Sequence, residues 1–274
     1  MKIPQFGAKA RRSRRWQRLL TGGTPAAVGG PPTTIAGGGF PASPNGASSF
    51  HLIWTDDGQP VDSAEVTLEV VVPPTVPHLY FFALQVSFFG EVGKTGSAHL
   101  GLQWNPRFPG ALAVNWGGYE VGGAMLTGTE SKLPSTPADP NTRDFPWSPG
   151  RPYRLAVRPT PSSPGWWRGE VTDLTDGTTQ EVRDLAAGGI RVGEPIVWSE
   201  VFARCDDPPV VVRWRDPTLL AGGVGRPLSG ARVNYQSEAD GGCSNTSCVT
   251  TPAGIVQMTN SARTTAAGSI LAWR

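Results

Sequence analysis

Three consecutive apolar, aromatic-rich runs between His78 and Tyr119 constrain this chain more than anything else in it. They read HLYFFALQVSFFG, SAHLGLQWNP and GALAVNWGGY, and they are separated by breaks that contain Gly, Pro and Lys. Short apolar runs bounded by such breaks are how successive antiparallel strands look in a sequence. The first run is apolar at nearly every position except Gln85 and Ser87, which suits a central strand buried on both faces. The short connections predict a meander of neighbouring strands.

The rest of the chain agrees. FHLIW (50–54) and AEVTLEVVV (64–72) precede the central runs, and the second alternates. Val66, Leu68 and Val70 fall on one face, Glu65, Thr67 and Glu69 on the other, the pattern of a strand with one wet face. PPTVP (73–77) ends it, because consecutive prolines cannot join a ladder. Further strands are predicted at PYRLAVR (152–158), WWRGEVTDL (166–174), TQEVRDL (179–185), PIVWSEVFA (195–203), PVVVRW (209–214), ARVNYQS (231–237), GIVQMTN (254–260) and SILAW (269–273). Residues 120–150 read as one long irregular loop. With 35 Gly, 27 Pro and only 17% charged residues, the composition is that of many short strands and turns. There is no fixed-period repeat. The expectation is an all-β fold: a two-sheet antiparallel β-sandwich of jelly-roll, concanavalin-like type, in one domain over residues 49–274.

Residues 1–48 differ from this body. Seven of the 24 Lys and Arg lie in the first eighteen residues, which hold no acid. The remaining 17 face 22 acids, so the body is mildly acidic. Residues 1–48 are expected to be a disordered basic leader and Gly/Pro-rich linker. Ser13-Arg14-Arg15-Trp16 resembles a twin-arginine export signal, while the stretch after it is too Gly-rich, and too broken by Pro25, for a classical signal peptide. The expectation is a secreted or cell-surface protein. No run of about eighteen apolar residues predicts a membrane span. Nucleic acid is not an expected partner, because the basic charge lies in the leader and not on a domain face.

AHLGLQWNP followed by ALAVNWGG, then GWWRGEVTDLTDGTTQEV and WSEVFARCDDPPVVVRW, together resemble motifs of a mostly secreted bacterial family classed as a domain of unknown function. The likeness spans residues 78–216. It implies a lectin-like sandwich of the kind that accompanies carbohydrate-active modules.

Four chemistries are open to such residues. Sugars stack on aromatic rings and bond to planar amides. Gln103, Trp104, Asn105, Asn115, Trp116 and Tyr119 lie at the ends of successive strands, and Gln85 and Gln103 are placed to share one face. The leading expectation is therefore a non-catalytic carbohydrate-binding module for a polysaccharide or cell-surface glycan. If the chain is an enzyme, Glu200, between Trp198 and Phe202, is the best acid, for a glycoside hydrolase or polysaccharide lyase. A structural or virion-associated surface protein is the third reading. Nucleophilic triads are disfavoured: His51, His78 and His99 are the only histidines, and no nucleophile elbow is present. His51 and His99 could meet in space. No cofactor is expected, with Ca²⁺ at Asp56-Asp57 or Asp206-Asp207 as a minor option against ordinary turn formation. Of Cys205, Cys243 and Cys248, either the last two close a small ring or Cys205 pairs with one of them. The oligomeric state is not legible.

Overall fold

The computed structural model describes residues 38–161, 163–226 and 228–273. The expected basic leader, with its twin-arginine resemblance, lies outside the described residues up to residue 37. Its last eleven residues, 38–48, do not, and Ser48 already opens the first strand. Residues 38–47 pack on the body, with Ala47 fully buried and the Ala42 N–H donating to the Gly241 carbonyl at 3.0 Å.

The fold is all-β, a sandwich of two antiparallel sheets. The strands in chain order are β1 (Ser48–Thr55), β2 (Ser63–Val72), β3 (Tyr80–Gly90), β4 (Gly93–Trp104), β5 (Leu112–Glu120), β6 (Thr142–Asp144), β7 (Pro152–Pro159), β8 (Trp166–Asp173), β9 (Thr179–Ala186), β10 (Arg191–Val201), β11 (Val211–Ala221), β12 (Val224–Arg226), β13 (Gly230–Tyr235), β14 (Ser247–Thr251), β15 (Gly254–Met258) and β16 (Ile270–Ala272). The first sheet runs β16-β13-β1-β10-β3-β4-β5-β6. The second runs β14-β15-β11-β2-β7-β8-β9, with β12 paired to β11. The expected meander is β3-β4-β5, and it continues into β6 inside the long loop.

Strand alternation builds the core. Leu52, Phe82, Leu84, Leu100, Val114 and Trp116 from the first sheet meet Val66, Leu68, Leu155, Val171 and Trp214 from the second in one buried cluster. Each such side chain contributes about 1.5–3 kcal/mol on leaving water. The intervening residues face outward, and here the two sheets differ. The outer face of the second sheet carries ion pairs. Arg213 meets Glu69 at 2.8 Å, Arg158 bridges Glu65 and Glu170, and Arg168 meets Asp184 at 2.8 Å. This is a wetted surface whose pairs each contribute little. The outer face of the first sheet is instead buried at its centre, around His51, Phe81, Gln85, Gln103, Trp198 and Glu200.

Three strands escape the sequence pattern. β6 and β12 have three residues each, too few to show a period. β14 lies in the polar cysteine loop, where SCVTT carries little apolar signal.

The disulfide is Cys205–Cys243, with Cα atoms 5.5 Å apart. It joins the turn after β10 to the loop after β13. The small Cys243–Cys248 ring does not form, because Cys248 faces the core on β14. Burial pushes the Cys248 thiol up to about 12. Its thiolate fraction at pH 8 is then on the order of 10⁻⁴. Titration with a thiol-reactive disulfide reagent at pH 8 is expected to find no reactive thiol in the folded protein and one after unfolding without reductant. A thiol that reacts in the folded state would place Cys248 elsewhere.

Candidate active site

On the outer face of the first sheet, register sets the side chains in rows. Glu200 on β10 lies between Ser49 on β1 and Phe81 on β3. Phe81 pairs with Gln103 on β4, and Gln103 with Ala113 on β5. Glu200 and Gln103 therefore flank Phe81 in a single row, their Cα atoms two strand spacings, about 10 Å, apart. The next row holds His51, Trp198, Ala83, Gly101 and Asn115, and the one after it Ile53, Ile196, Gln85 and His99.

This face is dense in buried polar groups. Glu200 is 7% exposed, Gln103 5%, Gln85 4% and His51 2%. Polar side chains are seldom buried together on one face unless structure or chemistry requires it. Among the described residues Glu200 is the one buried carboxylate.

Both members of the pair are held from outside the row. The Asn105 amide donates to Gln103 Oε1 at 2.9 Å, which identifies the oxygen end of the Gln103 amide and leaves its Nε2 as the donor. Asn105 Oδ1 in turn accepts from the Arg107 backbone N–H at 3.2 Å, within the turn that links β4 to β5. The Gln103 carbonyl accepts from the Trp147 indole at 3.0 Å, so the end of the long loop pins this strand. Asn45 Nδ2 donates to Glu200 Oε1 at 2.8 Å and fixes the carboxylate plane. Beside the pair stand three rings in edge-on contact. Phe81 lies 4.9 Å from Trp198 and 5.4 Å from His99, and His99 lies 5.7 Å from Trp198.

The expected binding residues separate under this geometry. Gln103, Asn115 and Tyr119 project outward. Trp116 is fully buried in the core, its indole donating to the Trp167 carbonyl at 3.3 Å. Trp104 packs against the same core and donates to the Val76 carbonyl at 3.0 Å. Asn105 is buried in its turn, and Asn115 donates to Thr142 at 2.9 Å to tie β6 to β5. Neither tryptophan is a stacking platform. The pattern carried this signal, since Trp104 and Trp116 directly follow Gln103 and Asn115 and so must face the other way. Gln85 and Gln103 do share one face, as expected. His51 and His99 share it too, with β10 and β3 between their strands. Asn45 was missed, because it sits in a Gly/Pro-rich stretch with no strand pattern.

The acidic pairs are turn residues. Asp56 and Asp57 accept from the Gly58 and Gln59 N–H groups, and Asp57 pairs with Arg226. Asp206 pairs with Arg204 at 3.0 Å, and Asp207 accepts from the Arg204 N–H at 2.8 Å. Among the described residues no group of three or more His, Cys, Asp or Glu is placed to hold a metal ion, and no helix is long and apolar enough to cross a membrane.

No family model matches the chain, and no curated protein matches it. Among solved structures it is similar to scytalido-glutamic peptidase bound to a transition state analog inhibitor, at 13% identity over 78% of this chain and 97% of that one, TM-score 0.40. It is also similar to SCP-B, a member of the Eqolisin family of peptidases in complex with a tripeptide, at 12% identity over 78% and 96%, TM-score 0.38. The enzymatically active domain of bacteriophage CBA120 tailspike protein 2 aligns at 16% identity over 78% of this chain and 28% of that one, TM-score 0.28. The expected non-catalytic glycan-binding module is corrected by the structure: Trp104 and Trp116, the two rings expected to stack on a sugar, pack in the core instead.

Proposed function

We propose that the chain is a hydrolase of peptide bonds that works through one carboxyl group, Glu200, and one amide, Gln103. The observation that supports this reading most is their juxtaposition: the one buried acid among the described residues and an oriented amide flank Phe81 in one row. The Glu200 carboxylate acts as general base and takes a proton from a water molecule. The water oxygen attacks the carbonyl carbon of the scissile bond. The Gln103 amide N–H donates to the oxyanion that develops. Protonated Glu200 then gives its proton to the departing amine, which restores the carboxylate and breaks the C–N bond. A shielded site strengthens both interactions and excludes competing water.

A two-carboxylate glycosidase does not fit this face. Its acids stand about 5–9.5 Å apart. Glu194 lies six residues from Glu200 along β10, about 20 Å away at the rise of a strand. Asp144 pairs with Ala113 at the far edge of the row and is bonded to Thr136. The Cys205–Cys243 disulfide supports placing the protein outside a reducing compartment.

The test is digestion of a diverse peptide library by the full chain, read by mass spectrometry, with Gln103→Ala alongside. Cleavage is expected, with kcat about 10²–10³-fold lower in Gln103→Ala, the usual cost of one oxyanion donor. Wild-type cleavage that Gln103→Ala leaves intact would remove the amide from the mechanism. No cleavage of any peptide would overturn the reading.

A further inference from the structure

We propose that Asn45 is a positioning residue for Glu200, delivered by the arm of residues 38–47; the catalytic consequence rests on the hydrolase reading, the contact does not. Its Nδ2 donates to Glu200 Oε1 at 2.8 Å across 155 residues of sequence. A carboxylate that must accept and return a proton needs a fixed plane, and a donor on one oxygen sets it.

The arm is built to hold this amide in place. Asn45 Oδ1 accepts from Ser43 Oγ at 2.8 Å and from the Ala47 N–H at 3.3 Å. This fixes which side of the amide donates. The single Ser43 hydroxyl proton is shared between Asn45 Oδ1 and the Ala47 carbonyl, 2.6 Å away, while Ser43 Oγ accepts from the Ala47 N–H at 2.9 Å, and Gly46 closes the turn at φ +76°, a conformation that favours glycine. Upstream, the Cys205 N–H donates to the Gly39 carbonyl at 2.8 Å, and the Ala42 N–H to the Gly241 carbonyl at 3.0 Å. The two loops that grip the arm, around Cys205 and around Cys243, are the two that the disulfide joins. Gly241 also meets the arm closely, since a Cβ there would lie 2.2 Å from the Ser43 nitrogen. The disulfide, the arm and Asn45 therefore form one continuous support that ends on the Glu200 carboxylate. The histidines that share the face, His51 and His99, enter from other strands.

Asn45→Asp is the decisive variant. It keeps the oxygen that accepts from Ser43 and Ala47, so the turn is retained, and it replaces only the donor to Glu200. Two readouts separate the proposal from the hydrolase reading. With glutamate labelled by ¹³C at the side-chain carboxyl, the Glu200 signal is identified by its loss in Glu200→Gln. Its titration midpoint is expected to lie roughly 1 pH unit or more higher in Asn45→Asp than in wild type, because a donor becomes a like charge. On a cleaved peptide, kcat is expected to fall about tenfold or more with KM little changed. Asn45→Ser, which retains an acceptor for the Ala47 N–H but is too short to reach Glu200, is expected to lower kcat in the same way. A midpoint that Asn45→Asp does not move would overturn the proposal, whether or not peptides are cleaved. If wild type cleaves nothing, the hydrolase reading falls, while a moved midpoint still supports Asn45 as the residue that positions this carboxylate.

Discussion

Glu200→Gln is expected to lower the rate of peptide cleavage by about 10²–10⁴-fold, the range that a general acid–base supplies. The substitution is close to isosteric. Gln at this position still offers an oxygen to Asn45 Nδ2, so the 2.8 Å contact survives and the arm stays seated. It can neither take a proton from water nor return one to the amine. The side chain keeps its volume in the buried row, so no cavity is opened. The thermal midpoint is therefore expected to stay close to the wild-type value. Parallel measurement of kcat and of thermal unfolding checks both halves. Full activity in a folded Glu200→Gln protein would exclude the carboxyl from the chemistry. A loss of activity with a fallen midpoint would show only that the variant is damaged.

Trp116→Ala is expected to act in the opposite way, through stability. Trp116 is fully buried, packs near Phe88 at 6.5 Å between centroids, and donates to the Trp167 carbonyl. The second sheet is fitted to it: a Cβ on Gly169 would lie 2.7–2.9 Å from its ring atoms. The indole thus fills the gap that a glycine leaves in the facing strand. Truncation is expected to cost about 3–5 kcal/mol, which for a domain of this size lowers the unfolding temperature by roughly 6–20 °C. Thermal or urea unfolding measures it directly. A drop below about 1 kcal/mol would mean that the sheets close over the cavity. A stacking tryptophan at a surface site would have given nearly no change, so this variant also separates the core role from the expected sugar platform.

Much of the architecture was legible because the signals that specify it are local. Period-two alternation in AEVTLEVVV placed Val66, Leu68 and Val70 inward and Glu65 and Glu69 outward, and the ion pairs of Arg158 and Arg213 lie on that outer face. The apolar character of HLYFFALQVSFFG marked β3 as central, and it pairs on both sides. Glu200 stood out as an acid between aromatic neighbours, and Gln85 and Gln103 as amides in apolar strands that needed partners.

What the tertiary structure decided is pairing across long separations. That β10 lies between β1 and β3 brings Glu200 into the row of Gln103, and no local period specifies which distant strands become neighbours. The choice of Cys205–Cys243 depends on bringing two Cα atoms to 5.5 Å, a condition that three cysteines in a sequence leave open. Asn45 shows the limit most plainly. Its stretch reads as linker, because Gly, Pro and Ser bury little apolar surface of their own. It is held by hydrogen bonds to Glu200, Cys205 and Gly241, all far along the chain. Alternation assigns a residue to a face from its immediate neighbours; the partners it meets there are set by the folded sheet.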